Sequence, residues 1–92
     1  MAVTIRIPAL LRALVGDKSE VSVESGAVGE VLARLVSEYP DVKDRLYDED
    51  GNLRRFVNVY VNGEDIRALD GEATQLKDGD EVAIVPAIAG GI

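Results

Sequence analysis

The stretch Phe56-Val57-Asn58-Val59-Tyr60-Val61-Asn62-Gly63 decides the fold. Its period of two puts Val57, Val59 and Val61 on one face of a strand and Phe56, Asn58 and Tyr60 on the other. Asn-Gly is the dipeptide that tolerates positive φ at both central positions of a tight hairpin turn, so the chain should reverse at Asn62-Gly63. The return, Glu64 to Arg67, is short and charged, as suits an edge. Such a strand needs a sheet around it and a covering layer on its valine face.

Both can be read outward from it. Upstream, Val3-Thr4-Ile5-Arg6-Ile7 alternates and Pro8 closes it, with Val3, Ile5 and Ile7 on one face. Leu10, Leu11 and Leu14 fall in a connecting stretch, Gly16-Asp17 signals a turn, and Ser19 to Glu24 alternates again with Val21 and Val23 inward. These two strands read as a hairpin. Ser25-Gly26-Ala27 then opens a helix, with Ser25 as N-cap and Glu30 near the positive end. Val28, Val31, Leu32, Leu35 and Val36 recur at helical spacing, which gives one apolar stripe running to Tyr39 before Pro40 stops it. Asp41 to Asn52 is a polar connection held down by Val42 and Leu46. Downstream, Leu69 to Leu76 is a loop or a single helical turn. Asp78-Gly79-Asp80 turns the chain into a last strand, Glu81 to Val85. The order is ββαββ, a short turn, then β. One helix on one face of a small mixed sheet is the simplest layered solution, and the helix between strands two and three supplies the long connection that parallel neighbours need.

The totals restrict function. Ninety-two residues make one domain. It should bury roughly 60–65% of its unfolded surface, enough for one core. The formal charge of −7 argues against nucleic acid and favours a basic partner surface. No Cys and no His are present, so thiolate and imidazole catalysis, zinc fingers and iron–sulfur clusters are excluded. With no signal pattern and no 18-residue apolar run, a cytoplasmic location away from membranes is expected.

Several side-chain groupings invite chemistry and fail. If Gly51 of Asp48-Glu49-Asp50-Gly51-Asn52 were the sixth residue of a calcium loop, positions one and twelve would be Leu46 and Val57, which cannot ligate. Gly16-Asp17-Lys18-Ser19 lacks the upstream glycine and the following helix of a phosphate loop. The pairs Glu64-Asp65 and Asp78/Asp80 have no adjacent base. No metal site and no catalytic side chain are therefore assigned. Two features survive. Phe56, Tyr60 and Val85 point away from the valine face and suggest a partner patch. The ending, Pro86-Ala87-Ile88-Ala89-Gly90-Gly91-Ile92, is uncharged and carries two glycines that serve no following element. As a thread without Cβ atoms, Gly90-Gly91 can enter a narrow channel, and Ala87 to Gly91 spans roughly 15–18 Å when extended.

Together the strand order, the Arg55–Arg67 segment, Ile7-Pro8-Ala9-Leu10-Leu11-Arg12 and the Gly-Gly ending resemble the ubiquitin-like β-grasp sulfur carriers of the ThiS/MoaD family, and the CysO branch in particular. The resemblance covers the whole chain. It implies an α+β β-grasp domain over residues 1–86 and a flexible tail over 87–92. It also implies a function without catalytic side chains. In the family, an enzyme of the ubiquitin-activating type uses ATP and Mg²⁺ to adenylate the terminal glycine carboxylate. Sulfur displaces AMP to give a thiocarboxylate, and a synthase accepts that sulfur. The chain itself then binds no cofactor.

By resemblance Gly91 is the reactive position and Gly90 its companion. Phe56, Tyr60 and Val85 dock partners, and Pro86 and Ile88 line the path of the tail. The departure is Ile92, which follows the glycine pair, moves a terminal carboxylate by roughly 3.5 Å and adds a branched side chain. The chain then reads as a pro-form from which a peptidase, such as a zinc-dependent JAMM-type protease, removes Ile92, unless Ile92 is foreign to the natural chain. The destination of the sulfur could be cysteine, thiazole, molybdopterin (as a molybdopterin synthase small subunit) or another metabolite. A protein modifier conjugated through Gly91 and a plain interaction domain are the competing readings.

Overall fold

Among the described residues, five strands and one principal helix supply most of the buried apolar side chains, and the connections supply the rest. The computed structural model describes residues 2–86. The strands are β1 (Ala2–Arg6), β2 (Glu20–Glu24), β3 (Val57–Val61), β4 (Glu64–Asp65) and β5 (Glu81–Pro86), with helices α1 (Val28–Glu38) and α2 (Lys43–Leu46). They form a single sheet in the order β2-β1-β5-β3-β4. β1 and β5 are parallel, and every other neighbouring pair is antiparallel.

The valine-rich faces meet the helix as the alternation requires. Val3, Ile5, Val21, Val57, Val59, Val61, Val82 and Ile84 are all buried, opposite Val28, Val31, Leu32 and Leu35 of α1. An isolated helix of this length is marginal in water, so its stability comes from that stripe. Each fully buried Leu or Val contributes about 1.5–3 kcal/mol by leaving water. The reversal at Asn62-Gly63 has φ values of 50° and 87°, the left-handed pair of the expected hairpin turn.

Four local readings change. The parallel neighbours are the first and last strands, not those flanking α1: β1 and β5 lie between β2 and β3. The two central places go to strands whose inward residues, Ile5 and Val82, are fully shielded beneath the helix. Helix α1 begins later than Ser25. Ala27 bridges Gln75, Val28 donates to the Thr74 carbonyl, and Leu76 donates to the Gly26 carbonyl, which keeps the chain extended through Ala27. The Ala27 amide is then satisfied by the Glu30 carboxylate at 2.8 Å, while the Ser25 carbonyl accepts from Arg34. The return strand stops at Asp65 because Ile66 turns into the core and starts a 3-10 turn, Ile66–Ala68. The connections are also more ordered than their polarity implied. Ala9–Val15 and Pro40–Val42 are 3-10 helices, α2 follows the latter, and Val42 and Leu46 are buried.

Candidate functional site at the end of the last strand

Strand β5 runs between β1 and β3 and ends beside the start of β3, beyond the last rung it shares with β1. Its inward residues, Val82 and Ile84, are buried, so Ala83 and Val85 face outward. Tyr60 lies opposite Ala83 and Asn58 opposite Val85. Pro86 lies opposite Val57 at the last rung, where a residue without an amide hydrogen costs the ladder least.

The apolar residues expected outside are there, but they do not form one cluster. Val85 is 44% exposed and Phe56 41% exposed. Phe56 precedes β3 rather than lying within it, and it lines a groove with Leu10, Leu11, Val57 and Pro86 whose rim is Asp44, Arg45 and Arg54. Tyr60 is half-buried two rungs away, next to Asp65 across the β3–β4 pair. There a polar network begins. Arg67 donates to Asn58 Oδ1 at 2.6 Å and to Asp65 Oδ2 at 2.8 Å, and its hydrogen bonds hold the Asp65 carboxyl below the usual carboxylate range.

The residue that links Phe56 to Val85 is Leu10, in the connection between β1 and β2. It is 62% exposed, the highest value among the large apolar side chains described. The 3-10 helix Ala9–Val15 buries Leu11 and Val15, and this turns Leu10 outward. Leu10 and Pro86 line the Phe56 groove and also a second one, formed with Ile7, Pro8, Ile84 and Val85 and bordered by Arg6. The sequence signals only that one of the pair must face out, because adjacent leucines on a short helical turn cannot both face one core.

Charge is arranged around the patch. Arg6 is paired with Glu20 at 2.6 Å and Glu81 at 3.5 Å; the Glu20 hydrogen bond, with both carboxylates, raises its pKa further. At the opposite end of β5, Asp80 accepts from the Lys77 amide at 2.7 Å and from the Asn62 side chain at 3.1 Å. These bonds hold the Asp80 carboxyl below its ordinary range. Asn62 in turn accepts from the Glu81 amide, so the hairpin turn is tied to the start of β5. Burial, with Glu72 nearby, pushes the Tyr47 hydroxyl up to about 12. Among the described residues no cluster of three or more acidic side chains is placed to hold a metal ion. No described helix is long and apolar enough to cross a membrane. Ile88, Gly90, Gly91 and Ile92 lie outside the described residues.

Comparison with known proteins agrees with this architecture. The model of the ThiS family matches residues 5–91. The sulfur carrier protein CysO of Mycobacterium tuberculosis is 45% identical over 93 residues, covering 99% of this chain and all of the relative. Small archaeal modifier protein 3 of Haloferax volcanii is 44% identical over 94 residues, with 99% of this chain and all of that protein covered. In the crystal structure of the BexX/CysO complex of Amycolatopsis orientalis, a chain 42% identical superposes with a TM-score of 0.87, covering 97% of this chain and 99% of that one. The fold is therefore the ubiquitin-like β-grasp, and the chain belongs to the ThiS family, where it resembles the CysO-type sulfur carriers.

Proposed function

We propose that this protein is a sulfur carrier whose reactive group is the carboxylate of Gly91, exposed once Ile92 has been removed. The observation that carries the reading is the position of the apolar patch. Leu10, Phe56 and Val85 surround Pro86, the last described residue, so a partner that covers the patch receives the following Gly-Gly segment at its own active site. Ala87 to Gly91 reaches roughly 15–18 Å from that point.

The chemistry requires nothing of this chain beyond its carboxylate. An activating enzyme of the ubiquitin-activating type supplies ATP and Mg²⁺. The Gly91 carboxylate oxygen attacks the α-phosphorus and pyrophosphate leaves. A sulfide equivalent then attacks the acyl carbon and AMP leaves, giving the thiocarboxylate that a synthase consumes. The CysO-type resemblance favours cysteine as the product. A carboxylate on Ile92 would be displaced by one residue and flanked by a branched side chain, so removal precedes activation; a JAMM-type metalloprotease suits that step. The likeness to an archaeal modifier protein supports a second reading, conjugation of Gly91 to lysines of other proteins.

Intact mass separates the two readings. The protein is incubated in an extract of its own host with ATP and sulfide, with and without a zinc chelator. Loss of the isoleucine mass followed by exchange of one oxygen for sulfur is the expected result, and a chelator block identifies the metalloprotease. Isopeptide adducts without a thiocarboxylate would replace the carrier reading with the modifier reading. An unchanged mass in an extract that processes a control carrier would overturn both.

A further inference from the structure

We propose that the free edge of β2 is a second docking site, one that takes an extended protein segment with basic residues at its ends as an added strand. Among the described residues, β2 is one of the sheet's two outermost strands and has β1 on one side only. The register pairs Ile5 with Val21 and Val3 with Val23, and the Ile7 amide donates to the Ser19 carbonyl at 2.9 Å. In an antiparallel ladder the bonded positions alternate, so Val21 and Val23 direct their backbone groups to β1, and the Ser19 carbonyl is taken by Ile7 just beyond it. The amides and carbonyls of Glu20 and Ser22, and the Glu24 amide, point outward to the open edge. Arg34 already occupies the Glu24 carbonyl at 3.0 Å, which closes the run at that end.

The side chains specify the guest. Glu20, Ser22 and Glu24 are exposed on the outer face, whereas Val21 is buried and Val23 half-buried on the inner one. A groove between β2 and α1, lined by Val23, Arg34, Ser37 and Glu38, continues the inner face beyond the strand. A paired strand thus meets the alternation carboxylate, apolar, small polar, apolar, carboxylate. Its complement is basic, apolar, small polar, apolar, basic. A second copy of this chain does not fit. Antiparallel pairing of two β2 strands centred on Ser22 sets Glu20 against Glu24 twice, four carboxylates of which only the two Glu20 groups have a counter-charge, from Arg6. The chain's own Ala87–Ile92 segment carries no cation. Two strands, β1 and β5, lie between this edge strand and β3 in the sheet order, so a partner engaged at Phe56 and Val85 leaves it open.

The probe is the acetylated and amidated peptide Lys-Val-Thr-Val-Lys, with Glu-Val-Thr-Val-Glu as its control. Its near-symmetric sequence presents the same pattern in either strand direction. Amide resonances of the full chain are followed during titration to roughly millimolar peptide. Saturable shifts and slowed hydrogen exchange at Glu20 and Ser22 are expected, with Val21 and Val23 exchange unaltered. The basic peptide should bind about tenfold more tightly than the acidic one. Ser22→Pro removes an outward amide and no β1 bond, so it should keep the fold and abolish binding. Glu24→Lys should erase the preference for the basic peptide. No saturable shift, shifts confined to β4 or to the Leu10 patch, equal binding of the two peptides, or dimerisation through Ser22 would each overturn the proposal.

Discussion

Replacing Leu10 by alanine tests the patch directly, because it separates docking from folding. The substitution removes three carbon atoms, worth about 2.4 kcal/mol if fully transferred out of water at about 0.8 kcal/mol each. Leu10 is 62% exposed in the free protein, so most of that area is still available to a partner. Scaling by that fraction leaves about 1.5 kcal/mol to be lost on binding, close to a tenfold rise in Kd. Folding should lose much less, about 0.5 kcal/mol or below, as is usual at exposed positions. Leu11→Ala is the matched control. Leu11 is 4% exposed, so its truncation should cost about 2–5 kcal/mol of stability through the cavity it leaves. The assay is calorimetric titration of the Gly91-ended carrier with the activating enzyme of the same organism, beside urea unfolding of each variant. An unchanged Kd for Leu10→Ala, or a stability loss as large as that of Leu11→Ala, would refute the assignment of Leu10 to a docking surface.

Gly63 has φ of 87°, so Gly63→Ala should cost about 1–2 kcal/mol in urea unfolding, and an unchanged midpoint would remove strain from the account of the turn. Asp80 has a folded pKa below its ordinary value of 3.8. Its contribution is therefore present above that value and lost as pH falls through the lower folded one. Asp80→Asn should flatten the acid limb of the stability profile below about pH 4, and an unaltered limb would contradict the network with Lys77 and Asn62. Tyr47, with its folded pKa at about 12, should ionise well above the ordinary tyrosine range in an ultraviolet titration. Because its neutral form is the buried one, that contribution to stability is present below the ordinary value of 10.0 and is lost as pH rises towards 12. Tyr47→Phe should abolish the late ionisation and weaken the alkaline loss; an unchanged titration curve would contradict this assignment.

What could be read from residues alone followed the strength of local rules. Phe56-Val57-Asn58-Val59-Tyr60-Val61 and Asn62-Gly63 satisfied alternation and turn chemistry together, and the structure follows them except that Phe56 falls just before the strand. The stripe of α1 was equally plain. Its first residue was not, because Ala27 is held extended by Gln75, a partner far along the chain. Of the site, Phe56 and Val85 were legible as apolar positions on the outward half of an alternation. Leu10 was not, since its exposure depends on which of two adjacent leucines the core accepts.

The sequence by itself determined which segments are strands, where the main hairpin turns, which face of each strand is apolar, and that no cysteine or histidine chemistry is available. Each of these follows from side-chain period, backbone tolerance or composition within a short window. Tertiary structure alone decided that β1 and β5 pair in parallel at the centre. It also decided that Leu10 stands between Phe56 and Val85 around Pro86, and that β2 is left as an open edge. Those outcomes depend on contacts between residues distant in the chain. Such contacts are selected by burying the whole apolar surface at once, and no local pattern carries that information.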